Sequence, residues 1–369
     1  MKKQLFAAAA AFGVVASLVA TAPAAFAEPV SPGYVAVGSD TLQDVMNALA
    51  NGTSVTGSSV RATAQGQNFG NFDAVEAHFG TANTVKIQVK AGGPLMTRPN
   101  GSSAGKTALS RSINATGTEK YDGVTITGQI DIARSSSKGT EDANGALWTV
   151  PFGRDALTYA YKLDTANAAW ENIDKATLTS IFNCTTTTLG GVAVTPVVPQ
   201  AGSGTRKDFI AILGLTETTL VTVSEGGCVK EGQEHDSSTL LSGELMPMSA
   251  AQWVAQNTGA GVDRRGAGVV VGSPVAGTTA VTGTGSSMVP NPTFYADSTW
   301  GRDTVLLVEY ARVNSGDPKY DARLADLVST GSQKLGNITG TLPNTAMAVK
   351  KKFGFLAPTT TTGFRQAAS

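Results

Sequence analysis

Three times along this chain a short apolar run gives way to a loop of small polar residues, which then leads into a run with helical periodicity. The clearest case is Gly202-Ser203-Gly204-Thr205-Arg206, between the apolar run at 192–198 and the helical pattern at 208–213. Tyr34-Val35-Ala36-Val37 leads in the same way through Gly38-Ser39-Asp40-Thr41 into Leu42, Val45, Met46 and Leu49, which recur at helical spacing. Residues 98–106 form a third such loop, ahead of a helical pattern at 107–113. Alternating β and α runs call for an α/β fold with mainly parallel sheets. In such folds the loops leaving the carboxyl ends of the strands converge, and ligands sit there. A small-residue loop at a helix start aims backbone N–H groups, hydroxyls and the positive helix end at one point, an environment that suits a small oxyanion.

Other runs fill out the pattern. Strands are expected at 85–89, 129–133, 147–152, 156–161, 268–271 and 304–311, and helices at 175–182 and 320–328. A Pro-Phe-Gly turn near Pro151 would separate the run at 147–152 from that at 156–161. Residues 268–271 read as a buried strand. Arg134-Ser135-Ser136-Ser137 follows a strand and could add a fourth loop to the convergence. Trp148, Trp170, Trp253 and Trp300 are scattered and read as core.

The first 27 residues read as an export signal. Lys2 and Lys3 precede an apolar stretch to residue 22, and Ala25-Phe26-Ala27 fits a small-x-small cleavage site. Cleavage would leave the chain starting at Glu28, with acidic residues two in excess. That balance gives nucleic acid or an anionic membrane surface no footing. No later run of eighteen apolar residues offers a stable membrane insertion. Cys184 and Cys228 are the only cysteines, and an exported chain most simply pairs them; two buried free thiols are the alternative. The only histidines are His78 and His235, too few to suggest a metal cluster. No cofactor is expected.

Enzymatic motifs fail on inspection. Residues 100–107 approach the phosphate-cradling G-x-x-x-x-G-K-[ST] pattern, but Asn100 holds its first position and Pro94 and Pro99 stand where a strand should lead in. Ser203 lacks the outer glycines of a nucleophile elbow, since Ala201 and Thr205 fill them, and neither His78 nor His235 has the sequence context of a catalytic base. Arg206 is the best candidate cation, because a guanidinium fork beside the Gly-Ser-Gly-Thr turn suits a tetrahedral anion. Arg134 is the second.

Taken together, Gly38-Ser39-Asp40-Thr41-Leu42, Gly101-Ser102-Ser103-Ala104-Gly105, Asp131-Ile132-Ala133-Arg134-Ser135 and Gly202-Ser203-Gly204-Thr205-Arg206 resemble, in order, the motifs of the phosphate-binding proteins of phosphate ABC importers. The branch looks actinobacterial. The resemblance spans roughly residues 34–360. It implies a two-lobed periplasmic-binding-protein type II fold, with mixed, mainly parallel sheets joined by a two-strand hinge. One lobe would comprise 28–152 plus 296–369, and the other 153–295. It further implies a non-enzymatic, exported, monomeric protein that clamps inorganic phosphate or a similar oxyanion for an importer permease. The ligand set it implies is Ser39, Asp40, Thr41, Leu42, Ser102, Ser103, Arg134, Ser135, Ser203, Gly204, Thr205 and Arg206. Two departures stand out. Ser135 occupies the position of the family's proton-accepting aspartate, and Pro199 and Ala201 replace its arginine–aspartate pair, which leaves Arg206 or Arg134 as the cation and Asp40 as the acceptor. Alternative readings are another oxyanion in the same fold (sulfate, molybdate or a small organic phosphate), or a secreted wall-associated protein that binds a partner.

Overall fold

The computed structural model describes residues 30–75 and 86–369. The signal read at 1–27, its cleavage site and His78 lie outside them. Ten strands form one mixed sheet: β1 (Tyr34–Gly38), β2 (Phe69–Asn71), β3 (Ile132–Ser135), β4 (Leu147–Lys162), β5 (Thr195–Pro199), β6 (Lys230–Gly232), β7 (Glu244–Ser249), β8 (Val269–Val271), β9 (Gly301–Glu309) and β10 (Phe364–Gln366). The order along the sheet is β6-β5-β7-β4-β9-β3-β1-β2, with β8 and β10 pairing on β4. Pairing is parallel towards both ends, in β1 with β2 and β3, and in β5 with β6 and β7. The middle is antiparallel, because β4 and β9 run against their neighbours.

β4 sets the architecture. Its 16 residues run unbroken through Pro151, where the sequence suggested two strands and a turn. The proline is absorbed by a register shift between Thr304 and Val305 on the partner, so the missing N–H falls at an irregularity rather than in a regular ladder. From Leu147 to Ala156 the strand pairs with β9, and from Leu157 to Lys162 with β7. One strand thus changes partner between adjacent residues and belongs to two packing units.

Period-two alternation divides the apolar side chains between the faces of the sheet. Tyr34, Ala36, Leu306 and Val308 join one cluster with Leu42, Val45, Met46, Leu49, Leu324, Phe353 and Phe355. Val35, Val37, Val305 and Leu307 join another with Ala108 and Leu109. A third cluster runs from Ala156 to Trp300 and holds Trp170, Phe182, Phe209, Met248 and Trp253. Of the four tryptophans, only Trp148 is incompletely buried.

Seven helices matter here: α1 (Gln43–Asn51), α2 (Ser102–Ser112), α3 (Lys175–Phe182), α4 (Gly204–Ile212), α5 (Ala250–Thr258), α6 (Ala322–Leu327) and α7 (Ala346–Lys352). α3 falls where the sequence places it. α2 and α4 begin earlier, so Ser102, Ser103, Gly204, Thr205 and Arg206 are first-turn residues rather than loop. β8 is an edge strand with Val270 45% exposed, not a buried one. Cys184 and Cys228 form a disulfide that ties the end of α3 to the segment before β6. No helix among the described residues is long and apolar enough to cross a membrane.

Candidate functional site

The four small-residue loops meet. The Ser102 hydroxyl accepts the Ser136 N–H at 3.0 Å and lies 3.1 Å from the Ser136 hydroxyl. The Ser103 N–H donates to the Gly202 carbonyl at 3.3 Å, and Asn100 bridges Gly38. Glycine is required at two of these approaches. A Cβ on Gly101 would stand 2.3 Å from the Gly202 carbonyl oxygen, at a φ of +107°. A Cβ on Gly204 would stand 2.3 Å from the Ser136 hydroxyl and 2.4 Å from that of Ser102. Ser203 caps α4 by accepting the Arg206 N–H at 3.0 Å. The first-turn N–H groups of Gly204 and Thr205 need acceptors outside their helix.

The cation at this meeting point is Arg302, near the start of β9. It donates to Asp155 through Nε and Nη2, at 3.0 and 2.9 Å, and to Asp208 through Nη1 at 3.2 Å. Nη2 also reaches the Thr205 hydroxyl at 2.9 Å and the Thr41 hydroxyl at 3.4 Å. The guanidinium therefore touches the hydroxyl-bearing turns before α1 and within α4. Burial works against its charge, but Asp155 and Asp208 outweigh burial and hold it firmly protonated. Asp208 is shifted upward, because burial outweighs the help from Arg302. A cavity of about 540 Å³, lined in part by Ser137, Asp208, Arg302 and Asp303, borders this ion pair.

A second buried network lies alongside. The Thr41 hydroxyl donates to Glu234 Oε1 at 3.5 Å. Glu234 Oε2 has no hydrogen-bond partner among the described residues, although the residue is fully buried. His235 Nδ1 stands 2.8 Å from Asp40 Oδ2, and Nε2 stands 3.4 Å from the Thr205 hydroxyl. Arg264 donates to Asp40 Oδ1 at 2.9 Å. Gln252 donates to the carbonyl of Thr41 at 2.9 Å and to that of Asp40 at 3.4 Å. Burial pushes the Asp40 carboxyl up, yet Arg264 and His235 overcome it and bring it down to about 2. Asp44, further along, is pushed up to about 6, because burial there outweighs Arg264.

The residues expected at the site divide into two groups. Asp40, Thr41, Ser102, Ser203, Gly204 and Thr205 are brought together. Five others are placed differently, and Leu42, expected to offer its backbone N–H, has its side chain in the core. Arg134 is fully buried and braces the first loop, donating to the carbonyls of Ser39 and Gly38 at 3.0 Å, to that of Phe72 at 2.9 Å and to Asn71. Ser39 donates its N–H back to the Arg134 carbonyl. Ser103 is exposed. The Ser135 hydroxyl donates to the Ser137 carbonyl at 2.6 Å. Arg206 is bound to Glu217 at 2.7 Å, to Glu231 at 2.6 Å and to the Pro199 carbonyl at 2.9 Å. The cause is helix geometry: α4 has already begun, so Arg206 lies about 100° around the axis from Thr205. Thr205 faces Arg302, and Arg206 faces the exposed carboxylates.

Arg302, Asp155, Asp208, Glu234, His235, Gln252, Arg264 and Ser136 did not emerge from the sequence as site residues. Two of them carried a signal. Asp155 follows Arg154 inside a long apolar strand, and Arg302 opens another; a charge at such a position must find a buried partner. Glu234-His235 lies in a polar stretch with no periodicity.

No family model matches this chain, and no curated protein matches it. Similar chain courses occur among solved structures. An ABC-type phosphate transport receptor from Vibrio cholerae superposes with a TM-score of 0.48 at 15% identity, covering 88% of this chain and 100% of its own. A phosphate ABC transporter substrate-binding protein from Clostridium perfringens, with bound phosphate, gives 0.47 at 12% identity, with 88% and 99% covered. A high-affinity periplasmic phosphate-binding protein, PfluDING, gives 0.47 at 15% identity, with 88% and 90% covered. Identity at this level says nothing about individual residues.

Proposed function

We propose that this chain is an exported, monomeric, non-enzymatic solute-binding protein that holds one tetrahedral oxyanion, hydrogen phosphate foremost, where its four loops meet. In this reading 28–152 with 296–369 forms one lobe and 153–295 the other. β4 and the segment entering β9 are the two connections, and a membrane importer receives the ligand. Thr41, Ser102, Thr205, the α4 N–H groups and Arg302 supply the donors.

The observation that carries this reading is Arg302, its side chain only 9% exposed and in contact with the hydroxyls of Thr41 and Thr205. A guanidinium fork beside a helix N-terminus is a good receptor for a small oxyanion. The unpartnered Glu234 oxygen favours a ligand that still carries a proton. A buried carboxylate oxygen gains a hydrogen bond from hydrogen phosphate or hydrogen arsenate and only repulsion from sulfate or molybdate.

Isothermal titration at pH 7 checks this. One phosphate per chain is expected, with arsenate competing and sulfate bound at least about tenfold more weakly. Arg302→Gln should lower phosphate affinity at least about tenfold, since a charge-assisted hydrogen bond contributes roughly 1.5–3 kcal/mol. Thr205→Ala tests the same site without orphaning Asp155. Glu234→Gln should narrow the gap between phosphate and sulfate. No heat and no thermal shift with any of these anions would refute the reading.

A further inference from the structure

A continuous hydrogen-bonded chain runs through the site from Asp40, by way of His235, to Thr205. Its links are 2.8 Å and 3.4 Å, and all three residues are fully buried. Asp40 precedes α1 and Thr205 lies in α4, so the chain of contacts spans the meeting of the loops.

A threonine hydroxyl has one hydrogen and two lone pairs. Arg302 Nη2 donates into Thr205 Oγ1 and occupies one lone pair. The imidazole decides the rest. Its Nδ1 faces an Asp40 carboxylate that Arg264 also grips, so Nδ1 keeps a proton in either state. If Nε2 is bare, it takes the Thr205 hydrogen and turns that donor away from any ligand. If Nε2 carries a proton, it donates into the second lone pair of Thr205. The hydroxyl hydrogen then has the loop junction left to point into.

We infer that oxyanion binding at this site is coupled to protonation of His235, which acts as a positioning residue for the Thr205 hydroxyl. This rests on the oxyanion reading above. The surrounding charges point the same way. Arg264 and Arg302 face the imidazole and its partner threonine, whereas Asp40, Glu234, Asp155 and Asp208 surround the same network. Asp236 follows in the chain, and Asp44 lies beyond Arg264. Carboxylates outnumber guanidiniums, so an arriving dianion gains from an imidazolium that supplies a positive charge. By linkage, the anion favours the proton and the proton favours the anion. Affinity is therefore expected to fall as pH rises, and to fall more steeply with the imidazole than without it.

The chain has two histidines, so histidine-labelled nitrogen NMR of a His78→Gln protein follows one imidazole. At pH 8 the expected result is a neutral ring protonated at Nδ1 without phosphate, and a ring protonated at both nitrogens when phosphate saturates the site. Titration calorimetry in buffers of differing ionisation enthalpy gives a second reading. At that pH wild type should take up as much as one more proton per phosphate than His235→Gln. Its affinity should also fall more steeply from pH 7 to 9. If phosphate binds and the ring keeps one protonation state, with equal proton counts in both proteins, the coupling is overturned and the oxyanion site stands. If phosphate fails to bind wild type, the site reading itself falls and takes the coupling with it. The NMR arm needs no substitution of His235, so a misfolded variant does not shield the idea.

Discussion

Two arginines divide the work that the sequence assigns to one. Arg206 ends the most conspicuous motif, yet it serves as a surface anchor between Glu217 and Glu231, both about half exposed. Arg302 lies in no motif and contacts the threonines. Arg206→Gln is therefore expected to leave phosphate affinity within about twofold of wild type by calorimetry. Its stability cost should be about 1 kcal/mol, the usual scale for ion pairs with exposed partners. Thr41, Asp40 and Thr205 were legible because a short strand–turn–helix unit places them by local geometry alone. Arg302, Asp155, Glu234 and His235 were not, because their neighbours lie between 30 and 261 residues away and only the sheet order brings them together. Asp155, beside Arg154 between two apolar runs, and Arg302, just ahead of another, were the hints of buried charge with distant partners.

Among the elements, periodicity placed α3 and most strands, but it placed the starts of α2 and α4 too late. A helix's first turn needs caps and small residues, not apolar spacing, so Ser102–Lys106 and Gly204–Lys207 looked like loop. That misreading matters functionally, since a first-turn residue presents N–H groups that a loop residue need not. Pro151 misled in the opposite direction: a bulge at Phe152, within β4 itself, lets the strand continue past the proline. The Cys184–Cys228 bridge closes a loop with a sequence separation of 44 that contains β5 and α4. Replacing both cysteines by serine is expected to lower stability by roughly 4 kcal/mol in the chain-entropy account, read by chemical denaturation. Phosphate affinity should change far less, because neither cysteine touches the site.

At the scale of the whole molecule, buried carboxylates give stability a pH dependence with two opposing arms. Asp44 titrates near 6 when folded, above the ordinary carboxylate range, so folding favours its protonated form. Its stabilising contribution is fully present below about 4 and is lost as pH rises through 6, an effect on the order of 3 kcal/mol. Asp40, held near 2 by Arg264 and His235 against burial, works the other way. Its contribution is present above about 4 and disappears as pH falls through 2. Thermal unfolding of Asp44→Asn should lack the loss between pH 4 and 6 while keeping the acid arm. A wild-type profile that is flat between pH 4 and 6 would count against a buried Asp44.

The partner change in β4 has a consequence for how the molecule comes into being. The cluster from Ala156 to Trp300 is built almost wholly from one continuous stretch of chain. The two clusters flanking β1 need Val305 to Val308, and one of them also needs Phe353 and Phe355. A polypeptide emerging from its amino end can thus assemble the later half of its architecture first. The two clusters around β1 wait, incomplete, until β9 and, for one of them, Phe353 and Phe355 arrive to finish their packing. Truncation near the carboxyl end would therefore strike the part of the protein that was made earliest.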